Sequence, residues 1–360
     1  MTVIKNSLLK GFLLMAVIMV SLFCISCSYP VKRENTDTDS KDSQDLITVG
    51  FSQIGAESDW RLACTDSVLG AFATEKGYNL IYDDGEQKQE NQLKAIREFI
   101  DMDVDFIILD PITETGWDSA LMEAKEAGIP VIIMDRQISV SDTSLYAAWV
   151  GADFRKEGDR AVAWLEKVLR YKKGSVNFVE ITGTTGATAQ IGRSAALAAG
   201  IARNDGWNLL ESSDGDFVQA KAREIMEDFI RRYGRKINVV YCGNDNEAYG
   251  ALQALNAAGY RTGTDIGSGE VLVVSFDATR QGLKYTMQGL ISMDMECNPL
   301  LGPELLKLVK NIHEGKPVDK ITYMHEDQFV HLGEYSEIIC NGQVYTLKPV
   351  TEKLIDGRKY

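Results

Sequence analysis

Gly128-Ile129-Pro130-Val131-Ile132-Ile133-Met134-Asp135-Arg136 decides the fold. A short run of β-branched and apolar residues reads as a strand buried on both faces, as in a parallel sheet. It ends in an acid and a base. At the carboxyl end of such a strand, side chains project into the crevice where open α/β sheets hold ligands. A carboxylate accepts hydrogen bonds from hydroxyls, and a guanidinium donates a rigid fork of them. Side by side they make a grip for a polyhydroxyl compound.

Working outward, the same alternation repeats on both sides. Strands are expected over 46–52, 79–82, 104–109 and 129–134. Helices are expected over 60–76, 88–102 and 116–127, the first with Leu62, Leu69 and Phe72 on one face and Gly77 as its stop. Residues 146–152 carry the chain across, and the pattern restarts. Helices are then expected over 155–171, 188–202, 218–233 and 247–258. Strands are expected over 175–181, 208–212, 238–242 and 271–276, the last running into Asp277. Strands alternating with single helices imply right-handed parallel crossovers. The expected fold is therefore α/β: two doubly wound three-layer lobes joined by a multi-strand hinge, with a binding cleft between them. Because 293–299 and the segment after Lys320 recross, each lobe is discontinuous. The expected lobes are 46–151 with 297–332, and 152–296 with 333–360.

The chain has 360 residues, enough for about two domains. Its net charge of −14, with no basic run to offset it, argues against nucleic acid. Lys5 and Lys10 precede the apolar run 11–25, the layout of a secretory signal peptide. The residues Leu22-Phe23-Cys24-Ile25-Ser26-Cys27 resemble a bacterial lipobox, although Cys24 stands where leucine is usual. Residues 1–27 are read as a lipoprotein signal, with lipid attached at Cys27 as the membrane anchor. Residues 28–45 are polar, lack apolar periodicity and read as a flexible tether. The body is thus expected outside the cytoplasm, at the cell surface or in the periplasm.

Of the six cysteines, Cys64, Cys242, Cys297 and Cys340 lie in the body without a C-x-x-C spacing, so buried free thiols are preferred over a zinc site or disulfides. His313, His325 and His331 show no paired ligand spacing. No metal and no cofactor are expected. The run Gly183-Thr184-Thr185-Gly186 lacks the Gly-Lys-Ser/Thr ending of a phosphate loop, and no Gly-x-Ser-x-Gly elbow occurs.

From Leu46 to Tyr360 the sequence resembles the ribose/galactose class of periplasmic sugar-binding proteins that serve ABC importers. The carriers are the 129–136 stretch, Asn244-Asp245, and Val273-Val274-Ser275-Phe276-Asp277. Three further stretches resemble the galactofuranose-binding branch: 49–61 (VGFSQIGAESDWR), 84–92 (DGEQKQENQ) and Thr115-Gly116-Trp117. The resemblance implies sugar contacts at Trp60, Arg61, Asp135 and Arg136 in the first lobe. In the second it implies Arg193, Phe217, Asn244 and Asp277, with Glu296 favoured over Asn298 near the recrossing strand. Gln53, Glu57 and Ser58 sit in the first loop as candidates for the cleft mouth. Asp110 also ends a strand, but it precedes Pro111, so setting that turn is its competing role. Ile191 stands where ribose binders carry an arginine, which argues against ribose. Ala278 replaces the glycine that follows the matching Asp in many relatives.

The implied function is a monomeric solute-binding protein. It captures a monosaccharide, galactofuranose or a related hexose, and hands it to an ABC permease. A sugar sensor feeding a histidine kinase or chemoreceptor is the alternative. An enzyme using Asp135 and Asp277 as paired carboxylates is disfavoured, because their arginine, asparagine and aromatic neighbours suit hydroxyl recognition better. A repressor of related fold is excluded by the export signal and the missing DNA-binding helix pair.

Overall fold

The computed structural model describes residues 46–331 and 335–360. The expected signal segment, with Cys27, and the expected tether lie outside the described residues. No described helix is long and apolar enough to cross a membrane.

The first lobe is built on a parallel sheet. Its strands are β1 (Ile47–Gln53), β2 (Tyr78–Asp84), β3 (Phe106–Leu109), β4 (Val131–Met134) and β5 (Ala148–Gly151), with helices α1 (Asp59–Ala71), α2 (Gln89–Asp101) and α3 (Asp118–Glu126) between them. The spatial order is β5-β4-β3-β1-β2, every pair parallel. All four residues of β4 are at most 1% exposed. Full burial of such side chains contributes about 1.5–3 kcal/mol each, more than the roughly 1–2 kcal/mol lost in ordering a residue's backbone. Four residues are therefore enough. Ile132 and Met134 pack with α1, whereas Val131 and Ile133 pack with α2 and α3, so the sheet is covered on both faces.

Helix α1 departs from expectation. It ends at Ala71, and extended Ala73 breaks it from a single 3₁₀ turn before Gly77, whose φ is +91°. Its buried face carries Trp60, Arg61, Cys64 and Val68, while Leu62 is 50% and Leu69 39% exposed. Size and apolarity alone would favour the leucines. The cleft and the sheet instead take the tryptophan and arginine.

The second lobe repeats the scheme with α4 (Phe154–Leu169), β6 (Val176–Thr182), α5 (Thr188–Arg203), β7 (Trp207–Asp214), α6 (Gln219–Tyr233), β8 (Val239–Cys242), α7 (Asp245–Ala257), the short β9 (Arg261–Thr262), β10 (Glu270–Asp277), α8 (Arg280–Met287) and β11 (Met293–Glu296). Its sheet runs β11-β10-β8-β6-β7, all parallel, with α4 and α5 on one face and α6 and α7 on the other.

The chain crosses between lobes three times. After β5 it enters α4. After β11 it returns to the first lobe, where α9 (Gly302–His313) packs on α1 and β12 (Ile321–Tyr323) pairs with β5. It then leaves through 324–327 into β13 (Gln328–Val330), which lies antiparallel to β11 in the second sheet. The return crossing thus falls before 328 rather than at the expected boundary of 332. The hairpin β14 (Glu337–Cys340) and β15 (Gln343–Pro349) and the short α10 (Glu352–Gly357) complete the second lobe. Cys64, Cys242, Cys297 and Cys340 are free and buried.

Candidate functional site

The carboxyl ends of both sheets meet around a small cavity. Trp60, Arg61, Asp135, Arg136, Arg193, Phe217, Asn244 and Asp277 all line it, joined by Glu57, Ser58, Phe154, Ala189 and Cys297. The lobes touch around its rim. The Asp59 amide donates to Asn246 Oδ1 (3.4 Å), that of Glu114 to the Gly186 carbonyl (3.1 Å), and that of Gln137 to Thr188 Oγ1 (3.0 Å).

In the first lobe the charged groups hold one another. Ser58 caps α1 by accepting from the Arg61 amide (3.1 Å), which fixes the first turn beneath the cavity. The Arg61 guanidinium donates to Glu57 Oε1 (2.9 Å), to Asp135 Oδ2 (3.0 Å) and to Asp110. Burial opposes its charge, but Asp110, Glu57 and Asp135 outweigh that and hold it well above the ordinary arginine value. Burial pushes the Asp110 carboxyl well up against the pull of Arg61. Asp110 therefore does more than set the Pro111 turn: it is fully buried beneath the cavity as a partner of Arg61. Gln53 is buried and spends its amide on Thr65 (3.1 Å) rather than at the cleft mouth.

Asp135 has a left-handed backbone, φ +54°, held by its amide bond to the Val150 carbonyl (2.9 Å). Such strain in a non-glycine residue is typical of functional positions. Arg136 donates one bond to the Ile112 carbonyl (2.8 Å), and its guanidinium lies 5.3 Å from the Phe217 ring centre. Burial and neighbouring Arg61 lower its proton affinity. The Trp60 indole N–H is used on the Cys297 carbonyl (2.6 Å), which leaves the ring itself for the cavity.

In the second lobe the cavity groups are held from behind. Arg193 donates from Nε and Nη2 to Glu157 Oε2 (both 2.8 Å) and from Nη1 to the Gly243 carbonyl (2.7 Å). Phe217 sits at φ +62°, its amide bound to Glu247 Oε1 (2.9 Å). Gly183, from the glycine-rich run, makes room for that ring: a Cβ there would lie 1.8 Å from it. Asn244 Oδ1 caps α7 by accepting from the Glu247 amide (2.9 Å). Asp277, at φ +105°, has no side-chain partner among the described residues and faces the cavity. Burial pushes its carboxyl well up, with Arg193 opposing.

Glu296 is not brought to the cavity. Its carboxylate accepts from Arg358, from the Tyr360 hydroxyl (2.6 Å) and from the Asp327 amide (2.8 Å), in the hinge. Asn298 accepts from the Leu300 amide (3.0 Å) and is also absent from the lining. The residue between them, Cys297, takes that place. Nothing in its spacing marked it.

Among the described residues one group of donors has metal-like proximity: Glu157, Cys297 and Glu326, whose ligand atoms lie within 4.8 Å of one another. Arginines already occupy one oxygen of each carboxylate.

The sequence matches the periplasmic binding protein domain over residues 49–317. The chain belongs to the periplasmic binding protein family. It is 40% identical over 279 residues to the galactofuranose-binding protein YtfQ of Escherichia coli (strain K12), covering 77% of this chain and 85% of the relative. Among solved structures, a Mycobacterium smegmatis protein in complex with β-D-fucofuranose is 41% identical with a TM-score of 0.75, over 79% of this chain and 91% of that one. The periplasmic component of the arabinose ABC transporter of Shewanella sp. ANA-3, bound to α and β-L-arabinofuranose, is 37% identical with a TM-score of 0.73, over 79% and 91%. The two-lobed α/β architecture is the type I fold of this family. Its members are binding proteins, not enzymes.

Proposed function

We propose that the protein is an extracytoplasmic receptor for a monosaccharide in furanose form, galactofuranose or a related hexose. It holds the sugar between its lobes and delivers it, as a monomer anchored through Cys27, to an ABC permease. The observation that carries this reading is the division of donors and acceptors around a small cavity between the sheet ends. Arg136 has made one bond to protein and has four N–H groups left for hydroxyls. The Asp277 carboxylate accepts nothing from the described residues, and Asp135 shares only Oδ2 with Arg61. The Phe217 and Trp60 rings offer apolar surface to the C–H side of a sugar. A site with this many buried polar groups discriminates strongly, because an analogue lacking a hydroxyl leaves a partner unpaired. Relatives that hold furanoses support the ring form, and a transporter component among them supports delivery to a permease over the sensor alternative.

A thermal-shift screen of the purified protein against aldoses, ketoses, sugar alcohols and furanosides tests this directly. A ligand that binds only the folded state raises the melting temperature by mass action. Galactose or arabinose in furanose form should give the largest shift. A larger shift from a locked pyranoside would overturn the ring-form assignment, and no shift from any carbohydrate would overturn the sugar reading.

A further inference from the structure

Behind the cavity lie two carboxylates that the sugar site does not use. Glu157, on α4, gives Oε2 to both Arg193 donors. Glu326, in the 324–327 crossing, gives Oε2 to Arg160 Nη2 (3.2 Å), while Arg160 Nη1 donates to the Glu326 carbonyl (3.2 Å) and to Gln328 Oε1 (3.1 Å). The two remaining oxygens, Glu157 Oε1 and Glu326 Oε1, are buried and accept no bond. One carboxylate oxygen of each lies within 4.8 Å of one from the other and of Cys297 Sγ. Two carboxylates this close in a dry interior, each with one oxygen that accepts no bond, are strongly disfavoured. A single proton between them removes the conflict. A divalent cation fits less well, because a guanidinium already sits on the outer oxygen of each.

The groups facing the pair are Arg160 from α4, Arg193 from α5, Cys297 after β11 and, beyond Arg193, Asp277 at the end of β10. Burial, followed by the charge of Glu157, raises the Glu326 carboxyl well above its ordinary range, and burial keeps the Cys297 thiol protonated.

We propose that Glu157 and Glu326 share one proton between their carboxylates, and that this bond makes Glu326 a positioning residue for Arg193. The bond ties the third crossing to α4. Through Glu157 it fixes the guanidinium that reaches the cavity. Loss of the proton as pH rises leaves two adjacent anions, which releases the crossing and disturbs Arg193.

The test uses the full chain in mild detergent, labelled with ¹³C at glutamate Cδ. At neutral pH the wild-type spectrum should hold a protonated-carboxyl resonance that is missing in Glu326→Gln, whose amide supplies the same hydrogen bond without titrating. Affinity for D-galactose at tautomeric equilibrium is read in parallel, and only this arm rests on the sugar reading. Glu326→Gln should bind within about threefold of wild type, and Glu326→Ala about tenfold more weakly. Wild type should lose affinity toward alkaline pH while Glu326→Gln does not. The proposal is overturned if wild type lacks the resonance, if it survives in Glu326→Gln, or if elemental analysis finds a stoichiometric metal lost in that variant. Should Glu326→Ala fail to fold, Glu326→Gln still decides. If no sugar binds even wild type, the furanose reading falls while the resonance still judges the shared proton.

Discussion

The two halves of the cavity present similar side chains but hold them in place differently. In the first lobe, the groups at the surface neutralise each other: Arg61 alone serves Glu57, Asp110 and Asp135. In the second, Arg193 and Phe217 are fixed by partners outside the lining, Glu157 and Glu247. Asp277 is left without a neutralising bond. One half is a closed electrostatic unit whose members stand or fall together. The other is a set of separately backed positions, with an acceptor left open.

That difference predicts unequal costs for the two arginines. Arg61→Ala strands three buried acids, and breaking a buried pair by removing one partner typically costs about 3–5 kcal/mol. Arg193→Ala strands one, Glu157. Urea unfolding should therefore show a clearly larger loss for Arg61→Ala, and sugar binding should vanish in both. Equal losses would mean that the first-lobe network is no more cooperative than the second.

The open acceptor makes the opposite prediction for stability. Burial, only partly offset by Arg193, holds the Asp277 carboxyl well above its ordinary value of 3.8. A carboxyl raised on folding makes the folded state take up protons. Its contribution is therefore greatest below the unfolded value and declines as pH rises toward the folded one. Asp277→Asn should remove that decline and leave the empty protein more stable at neutral pH than wild type. It should also bind sugar more weakly by about 1.5–3 kcal/mol, the range for a hydrogen bond to a charged group. Melting curves across pH with and without sugar separate the two effects. A variant that is both weaker in binding and less stable would place Asp277 with the self-neutralised half.

Part of the cavity lining was legible in the sequence where residues follow a short apolar strand, because such strands announce where their ends lie. Asp135-Arg136, Asn244 and Asp277 were found that way, and the two sheets followed from the same alternation. Residues behind the cavity without a local signal were missed. Asp110 was open to explanation by the proline after it, and Glu326 sits in a crossing with no periodicity. Glu296 was misplaced because its partners, Arg358 and Tyr360, return from the far end of the chain. The glycine-rich run was denied a phosphate for want of the Gly-Lys-Ser/Thr ending, and its packing role appears only in space. Gly183→Ala would put a Cβ 1.8 Å from the Phe217 ring, and overpacking of this kind costs about 1–3 kcal/mol. Since Phe217 also sits on a left-handed backbone, the ring should move rather than the sheet. Affinity should then fall more than stability, as calorimetry and unfolding can compare.

The smallest expected effect concerns α1, whose apolar spacing alone did not say which face is buried. Leu62 and Leu69 are spaced for one side of a helix. The structure gives the core Cys64 and Val68 instead, because turning the helix that way also delivers Trp60 and Arg61 to the cavity. Placing the leucines inside would carry the Arg61 guanidinium away from three acids, a loss far larger than the gain from burying two leucines at about 1.5–3 kcal/mol each. If the acids do set the rotation of α1, Leu62→Ser should change stability by no more than about 0.5 kcal/mol, whereas Val68→Ser should cost several times more. A substantial loss from Leu62→Ser in denaturant unfolding would instead show that apolar packing sets the face of this helix.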